Sequence, residues 1–172
     1  METLDAHPIA DSYWVEPGRF LAGEYPGALD AAEALEKVRR LLGAGVTCFV
    51  DLTEEGELRP YLPMALEQAA ERGAKVEHRR RPIPDLSVPS EAQLRAILDE
   101  IEEITGAGGV VYLHCWGGIG RTGTVVGCHL VRRGMSGEEA LARIAELRRG
   151  TPDGWKRSPE TGAQREMVLG FR

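Results

Sequence analysis

One segment of the chain reads His114-Cys115-Trp116-Gly117-Gly118-Ile119-Gly120-Arg121-Thr122-Gly123. It lies between a short apolar, β-branched run at residues 109–113 and an apolar segment at residues 124–131 that can continue a helix. The spacing predicts a strand–loop–helix junction, where backbone N–H groups and the positive end of the helix converge on one point. Glycines in the loop let successive amides turn inward. Such a junction is typical of an anion-binding site.

The two ends of this loop carry reactive side chains. Arg121 can hold two oxygens of a phosphate with its planar guanidinium. The inward amides and the helix N-terminus favour the thiolate form of Cys115, and a thiolate is a competent nucleophile at neutral pH. A buried cysteine in a glycine-rich turn is the alternative, but it leaves the arginine and the flanking elements unexplained. We therefore interpret the loop as a nucleophile facing a phosphate.

These ten residues resemble the signature loop of the protein tyrosine phosphatase superfamily, His-Cys-x5-Arg-(Ser/Thr), and the chain is similar to its small dual-specificity (atypical) branch. The resemblance implies hydrolysis of phosphomonoesters in two steps, through a cysteinyl-phosphate and without metal or cofactor. It implies that Cys115 is the nucleophile, that Arg121 clamps the phosphate and that Thr122 eases departure of the thiolate. His114 would help to hold Cys115 as a thiolate through hydrogen bonds in the loop. The remaining phosphate-binding positions would be Trp116, Gly117, Gly118, Ile119 and Gly120.

An alkoxide or phenoxide leaving group needs a proton, which a carboxylic acid within reach would supply. The candidate is Asp85, which lies between Pro84 and Pro89 and 30 residues before Cys115. The family carries its general acid on a loop in the corresponding place, often after a proline. Asp85 could instead be a turn residue that binds its own backbone, and Asp51, at the end of a neighbouring strand, is a rival for the role.

Two other polar features remain open. Gln164 lies at the start of the last predicted helix, where related phosphatases carry a glutamine that orients the water of the second step. A solvated glutamine on the helix surface is the alternative. The run of residues 78–81, His-Arg-Arg-Arg, alternates as a strand that places His78 and Arg80 on one face. A charged edge strand that blocks aggregation is the favoured interpretation, and contact with an anionic substrate is the alternative.

Bulk properties limit the function classes. The 172 residues, 42% hydrophobic and 28% charged, predict one globular domain over residues 1–172, with residues 1–11 as a poorly ordered tail. A net charge of −6 argues against nucleic-acid binding. The longest apolar runs are too short to cross a membrane, and the acidic N-terminus does not resemble a signal peptide. Three cysteines form no even disulfide framework, so we expect a cytoplasmic protein; its oligomeric state is open, with a monomer as the default.

Strand and helix patterns alternate along the chain. A hairpin at residues 12–23 is followed by strand patterns at 46–52, 75–81 and 110–113, with helix patterns between and after them. Capping boxes at residues 90–93 and 136–139, and an N-cap at Ser158 with Pro159 as the first helical residue, predict where three of these helices begin. This order predicts an α/β fold with a central, mainly parallel sheet and helices on both faces. The signature loop would lie at the carboxyl ends of the strands, where ligands bind in such sheets.

The sequence thus predicts a cysteine-dependent phosphatase of the dual-specificity type, with phosphorylated proteins as substrates. One alternative is an arsenate-reductase-like enzyme, which uses a similar oxyanion loop but needs a resolving cysteine; Cys48 or Cys128 would have to serve. The other is a phosphoprotein-binding module with little turnover, although such a module would normally have lost the cysteine, the arginine or the acid.

Overall fold

The protein is described here by a computed structural model that covers residues 5–172. Within those residues the chain forms five strands and six helices. The strands are β1 (Ser12–Glu16), β2 (Phe20–Gly23), β3 (Cys48–Asp51), β4 (Glu77–Arg80) and β5 (Val111–His114). The helices are α1 (Ala31–Gly43), α2 (Leu62–Glu71), α3 (Glu91–Gly106), α4 (Arg121–Arg132), α5 (Gly137–Leu147) and α6 (Gly162–Gly170).

The strands form one sheet in the order β1-β2-β5-β3-β4. Only the β1–β2 hairpin is antiparallel, and the other three pairings are parallel. Strand β5 lies at the centre, so the residues that follow His114 emerge in the middle of the carboxyl edge. The prediction of a mainly parallel sheet is confirmed.

Helices cover both faces of this sheet, as the alternating pattern predicts. Side chains of α1 and α2 pack on one face around Phe49 and Tyr112. Side chains of α3, α4, α5 and α6 pack on the other face, where Val111 and Leu113 point. Alternate residues of β5 thus enter opposite cores, which explains why residues 111–113 are all apolar or aromatic. Among the described residues, no helix is long and apolar enough to cross a membrane.

The charged strand β4 forms one edge of the sheet, as predicted. On one face, His78 and Arg80 contact Asp51, at 3.0 Å and 3.2 Å. On the other face, Arg79 and Arg81 contact Glu100 of α3, at 3.0 Å and 2.6 Å. The predicted alternation is confirmed, and all four basic side chains of the run contact carboxylates of the protein.

Helix starts agree with the sequence except at α6. The predicted capping box of Ser136 and Glu139 is present at α5. At α3, Ser90 accepts from the amide of Gln93 as expected, but the Gln93 side chain donates to the carbonyl of Pro82 instead of closing a box.

The predicted N-cap at Ser158, with Pro159 as first helical residue, is wrong. Helix α6 begins at Gly162, with Thr161 as N-cap and Gln164 completing a capping box. This start satisfies two backbone donors reciprocally, which a start at Ser158 with a proline would not.

Part of the expected N-terminal tail packs against the domain. Ile9 is buried in the core on the α1 side, and the indole of Trp14 donates to the carbonyl of Asp5. Residues 1–4 of that tail lie outside the described residues.

Candidate active site

Four segments meet beside the end of β5. They are the loop between β5 and α4, the loop after β3, the loop between β4 and α3, and the turn before α6. They border a cleft of about 760 Å³ whose lining includes Cys115, Arg121, Asp85, Glu160 and Trp116. The parallel sheet thus assembles the site from residues far apart in sequence.

Cys115 lies at the base of this cleft and is 3% exposed. The hydroxyl of Thr122 donates to its Sγ across 3.0 Å, which favours negative charge on the sulfur. The carbonyl of Cys115 accepts from Nδ1 of His114 across 2.9 Å. The sequence-predicted trio of His114, Cys115 and Thr122 is therefore brought together.

The proton positions on His114 follow from its partners. Because a carbonyl only accepts, Nδ1 carries the hydrogen, and Nε2 accepts from the Tyr61 hydroxyl at 2.6 Å. Burial lowers the pKa of His114, with Asp51 opposing that shift, so the ring is neutral at pH 7. This neutral imidazole makes a hydrogen bond at each ring nitrogen and thereby fixes the position of the Cys115 carbonyl.

The glycines of the loop have separate roles. Gly118 has φ of 72°, and a Cβ there would lie 2.4 Å from the carbonyl carbon of Gly23. Its position is therefore required for close approach to the end of β2, and it does not line the cleft. The cleft is lined instead by Trp116, Gly117, Ile119 and Gly120.

Arg121 is held by a partner that the sequence analysis missed. Its Nη1 and Nη2 donate to the two carboxylate oxygens of Glu57, at 2.9 Å and 2.6 Å, and Nη1 also donates to the carbonyl of Ile83 at 3.0 Å. The hydrogen bonds from Arg121 lower the pKa of Glu57. This bidentate pair uses one edge of the guanidinium and leaves the Nε–H edge for another oxyanion.

Asp85 lies at the edge of the cleft, 54% exposed, with Oδ1 3.4 Å from Nη2 of Arg121. The same oxygen accepts from the amide of Leu86, so the turn contact proposed as an alternative is also present. Leu86 has φ of 63°, an uncommon conformation for a branched residue that directs the chain around the carboxylate.

Gln164 is fully buried, and its amide is engaged in structure. Its Oε1 accepts from the backbone of Glu160 and Thr161, while Nε2 donates to the carbonyl of Ser87 at 3.2 Å. The alternative of a solvated surface glutamine is therefore wrong. A Cβ on Gly120 would lie 3.0 Å from Oε1 of Gln164, so the residue connects the signature loop to the Asp85 loop.

Glu160 is a second residue that the sequence analysis did not identify. It lines the cleft, and its Oε2 lies 3.2 Å from the position of a Cβ on Gly120. Its place immediately before the α6 capping box was the available signal. Because the helix start was misplaced by the proline, Glu160 was assigned to the helix and not to the site.

Asp51 is buried behind the loop and bound on all sides. It accepts from the amide and hydroxyl of Thr53 at 2.9 Å and 2.6 Å, and contacts His78 and Arg80. Burial would raise its pKa, but the hydrogen bond from His78, the nearby His114 and the Thr53 donors lower it far below its usual range. Asp51 does not line the cleft that contains Cys115, and these partners already occupy its carboxylate, which disfavours Asp51 as the rival of Asp85.

The two other thiols are core residues. Cys48 and Cys128 are buried, and burial raises their pKa to about 11 and about 12. Both therefore remain protonated, which disfavours attack on another sulfur. Over residues 5–172, no cluster of three or more His, Cys, Asp or Glu side chains could hold a metal ion.

Comparison with known proteins places this geometry in a family context. Residues 24–135 match the family profile Tc-R-P, described as "Polymorphic toxin system, DSP-PTPase phosphatase". The chain is also 35% identical over 79 residues to dual specificity protein phosphatase CDC14B of Mus musculus, a match that spans 45% of this chain and 16% of the mouse protein. The chain thus corresponds to a small part of that relative.

Solved structures agree along nearly the whole chain. The active form of Tk-PTP is 31% identical and superimposes with a TM-score of 0.69, covering 92% of this chain and 93% of the other. PTPMT1 in complex with PI(5)P has a TM-score of 0.68 at 23% identity, covering 92% of each chain. At that identity the second likeness shows the fold alone.

The Asp51 network generates a stability prediction. Because the pKa of Asp51 is lowered by folding, its charge contributes stability above the unfolded pKa of about 3.9 that is lost as pH falls toward the folded value. Asp51→Asn should cost about 1–3 kcal/mol at pH 7, since His78 and Arg80 lose their charged partner. The difference from wild type should shrink below pH 4. Urea unfolding at pH 7, 5 and 3.5 measures this, and a penalty independent of pH would contradict it.

Proposed function

Because the chain belongs to the family of DSP-PTPase phosphatases, we propose that it hydrolyses phosphomonoesters through a cysteinyl-phosphate on Cys115, with phosphotyrosine and phosphoserine or phosphothreonine of proteins as substrates. The observation that carries this proposal is the contact of Thr122 Oγ1 with Cys115 Sγ, inside a loop whose far end presents Arg121. A sulfur that accepts this hydrogen bond and lies in the same loop as a guanidinium is arranged to attack phosphorus as a thiolate.

In the first step, Sγ of Cys115 would form a bond to phosphorus while the bond to the ester oxygen breaks. The loop amides, the N-terminus of α4 and the Nε–H edge of Arg121 would stabilise the equatorial oxygens. Asp85, at the exposed edge of the cleft, would give its proton to the departing oxygen. The products of this step are the alcohol and the phosphorylated cysteine.

In the second step, water would attack phosphorus and give a proton to the Asp85 carboxylate left by the first step, while the bond between sulfur and phosphorus breaks to release inorganic phosphate and the Cys115 thiolate. The Thr122 hydroxyl would stabilise the departing thiolate. Glu160 would hold the attacking water, because its carboxylate lines the cleft beside Gly120. Gln164, whose carbonyl oxygen already accepts two backbone hydrogen bonds, would act through the position of the loop.

The structure offers little for the alternatives. An arsenate reductase would need a resolving thiol, and both remaining cysteines are buried with raised pKa values. A module that only binds phosphoproteins has no need of an acid at the edge of the cleft. Thiol consumption with arsenate and turnover of a chromogenic phosphomonoester distinguish the three functions.

Replacing the nucleophile tests the covalent mechanism. Cys115→Ser should reduce turnover of a chromogenic phosphomonoester to below about 1% of wild type, because a serine hydroxyl is not an anion at neutral pH. Binding of inorganic phosphate, followed by calorimetry, should persist, and a metal chelator should leave the wild-type rate unchanged. Residual turnover of one tenth or more, or a rate that a specific metal restores, would reject the mechanism.

The two carboxylates of the cleft can be separated kinetically. Asp85→Asn should slow alkyl phosphates about tenfold or more beyond its effect on a nitrophenyl ester, since only poor leaving groups need the proton. Glu160→Gln should slow breakdown of the cysteinyl-phosphate by the same factor for the alkyl phosphate and the nitrophenyl ester, and it should produce a burst of released alcohol. Stopped-flow measurement of alcohol and phosphate release distinguishes these patterns. Equal losses for both esters in the Asp85 variant would assign the acid elsewhere.

Glu57 is proposed to position the clamp. Glu57→Gln removes the charged bidentate partner of Arg121, and we expect kcat to fall about tenfold to a hundredfold, the scale of a displaced reacting group. Glu55→Gln, an exposed change in the same loop, is the matched control and should stay within twofold of wild type. Equal rates in the two variants would show that Glu57 does not hold Arg121 for the reaction.

A further inference from the structure

The mouth of the cleft carries an unusual share of exposed apolar surface. Within residues 5–172, three of the six large hydrophobic side chains that are exposed line it: Leu29 at 86%, Trp116 at 63% and Leu86 at 55%. They come from the β2–α1 connection, the signature loop and the Asp85 loop, so three separate segments bring apolar side chains to the cleft that contains Cys115. Single exposed leucines are ordinary, but a cluster of them around one cleft marks a binding surface.

The charge of the same mouth is negative. Its lining contains five carboxylates, and only three cations besides Arg121. Lys37 lies 3.3 Å from Glu24 and 3.9 Å from Glu33, while Lys156 lies 3.0 Å from Asp153. Arg59 is the one cation of the mouth that has no carboxylate within ion-pair distance in the described part of the chain. A second or third phosphate on the substrate would therefore meet one unpaired guanidinium, that of Arg59, among five carboxylates, while both lysines of the mouth are already in ion pairs.

We propose that the mouth selects a protein segment that carries a single phosphorylated side chain next to apolar residues, and that it rejects polyphosphorylated inositol headgroups and anionic membranes. The inference rests on the proposed function and names its substrate class. An apolar neighbour of the phosphorylated residue gains by covering Leu29 and Trp116. An acidic neighbour or a further phosphate is repelled by the carboxylates of the rim.

An anionic membrane is the competing occupant, because exposed Trp and Leu side chains also insert into lipid. Membrane binding of that kind normally adds a surplus of Lys and Arg around the apolar residues. This mouth has the opposite balance, so the charge favours a protein segment over a lipid surface.

The test compares matched substrates on the full chain. Phosphotyrosine peptides of equal length, with Leu or Val flanks in one and Glu flanks in the other, should differ by about tenfold or more in kcat/KM in favour of the apolar one. The difference should shrink at high salt as the repulsion is screened. Inositol polyphosphates, and PI(5)P in anionic vesicles, should be hydrolysed more slowly than the apolar peptide.

Leu29→Ser removes the most exposed apolar side chain of the mouth. It should lower kcat/KM for the apolar peptide about threefold to tenfold and leave a small chromogenic ester unchanged, since that ester does not extend to the rim. Leu66→Ser, an equally drastic change at an exposed leucine of α2 outside the cleft lining, is the matched control and should change neither rate.

The outcomes separate the two proposals. If the wild-type protein hydrolysed no phosphomonoester at all, the proposed function would be overturned. Turnover of the small ester with equal rates on both peptides, or faster hydrolysis of the vesicle lipid, would overturn the substrate class alone.

Discussion

A guanidinium that is removed from water must be paired, and the pairing of Arg121 organises this site. Its side chain is almost fully buried between the start of α4 and the loop after β3, where Glu57 takes both terminal nitrogens. An unpaired charge at this depth would cost several kcal/mol. The same pair fixes the plane of the guanidinium, so the remaining edge has a defined direction. The clamp is therefore oriented before any anion arrives, which reduces the reorganisation needed during a reaction.

The loop that Arg121 closes is supported from behind by a second buried network. Tyr61 and the carbonyl of Cys115 hold the His114 ring, and Asp51 lies 3.9 Å from its Nε2. Asp51 itself draws on Thr53 and on the charged strand β4. Side chains of the edge strand β4 thus support the signature loop through the Asp51 carboxylate, although none of them lines the cleft that contains Cys115. These contacts explain why an arginine-rich strand occurs in a protein whose net charge is negative.

The sequence predicts the fold and the signature loop well because both are encoded locally. Alternating strand and helix patterns define the sheet, and the loop from His114 to Thr122 contains the cysteine, the glycines and the arginine within ten residues. Partners that are distant in sequence are not encoded in this way. Glu57 is 64 residues from Arg121, and the sequence around Glu57 does not indicate that Arg121 is its partner. Glu160 was missed because Ser158 and Pro159 imitate a helix start, whereas Thr161 and Gln164 form the box that actually begins α6. Local sequence rules offer both positions as possible helix starts, and the two reciprocal hydrogen bonds of the capping box determine which one forms.

The Asp85 loop shows how an exposed residue can still be well placed. Two side-chain amides hold the loop on either side of Asp85: Gln93 donates to the carbonyl of Pro82, and Gln164 donates to the carbonyl of Ser87. Prolines before and after the carboxylate restrict the backbone between these points. Asp85 is thereby kept near Nη2 of Arg121 without being buried. In the proposed role of general acid, Asp85 would take up a proton in every cycle and would benefit from this placement, because water reaches it while the tethers limit the entropy lost in aligning it with a leaving group.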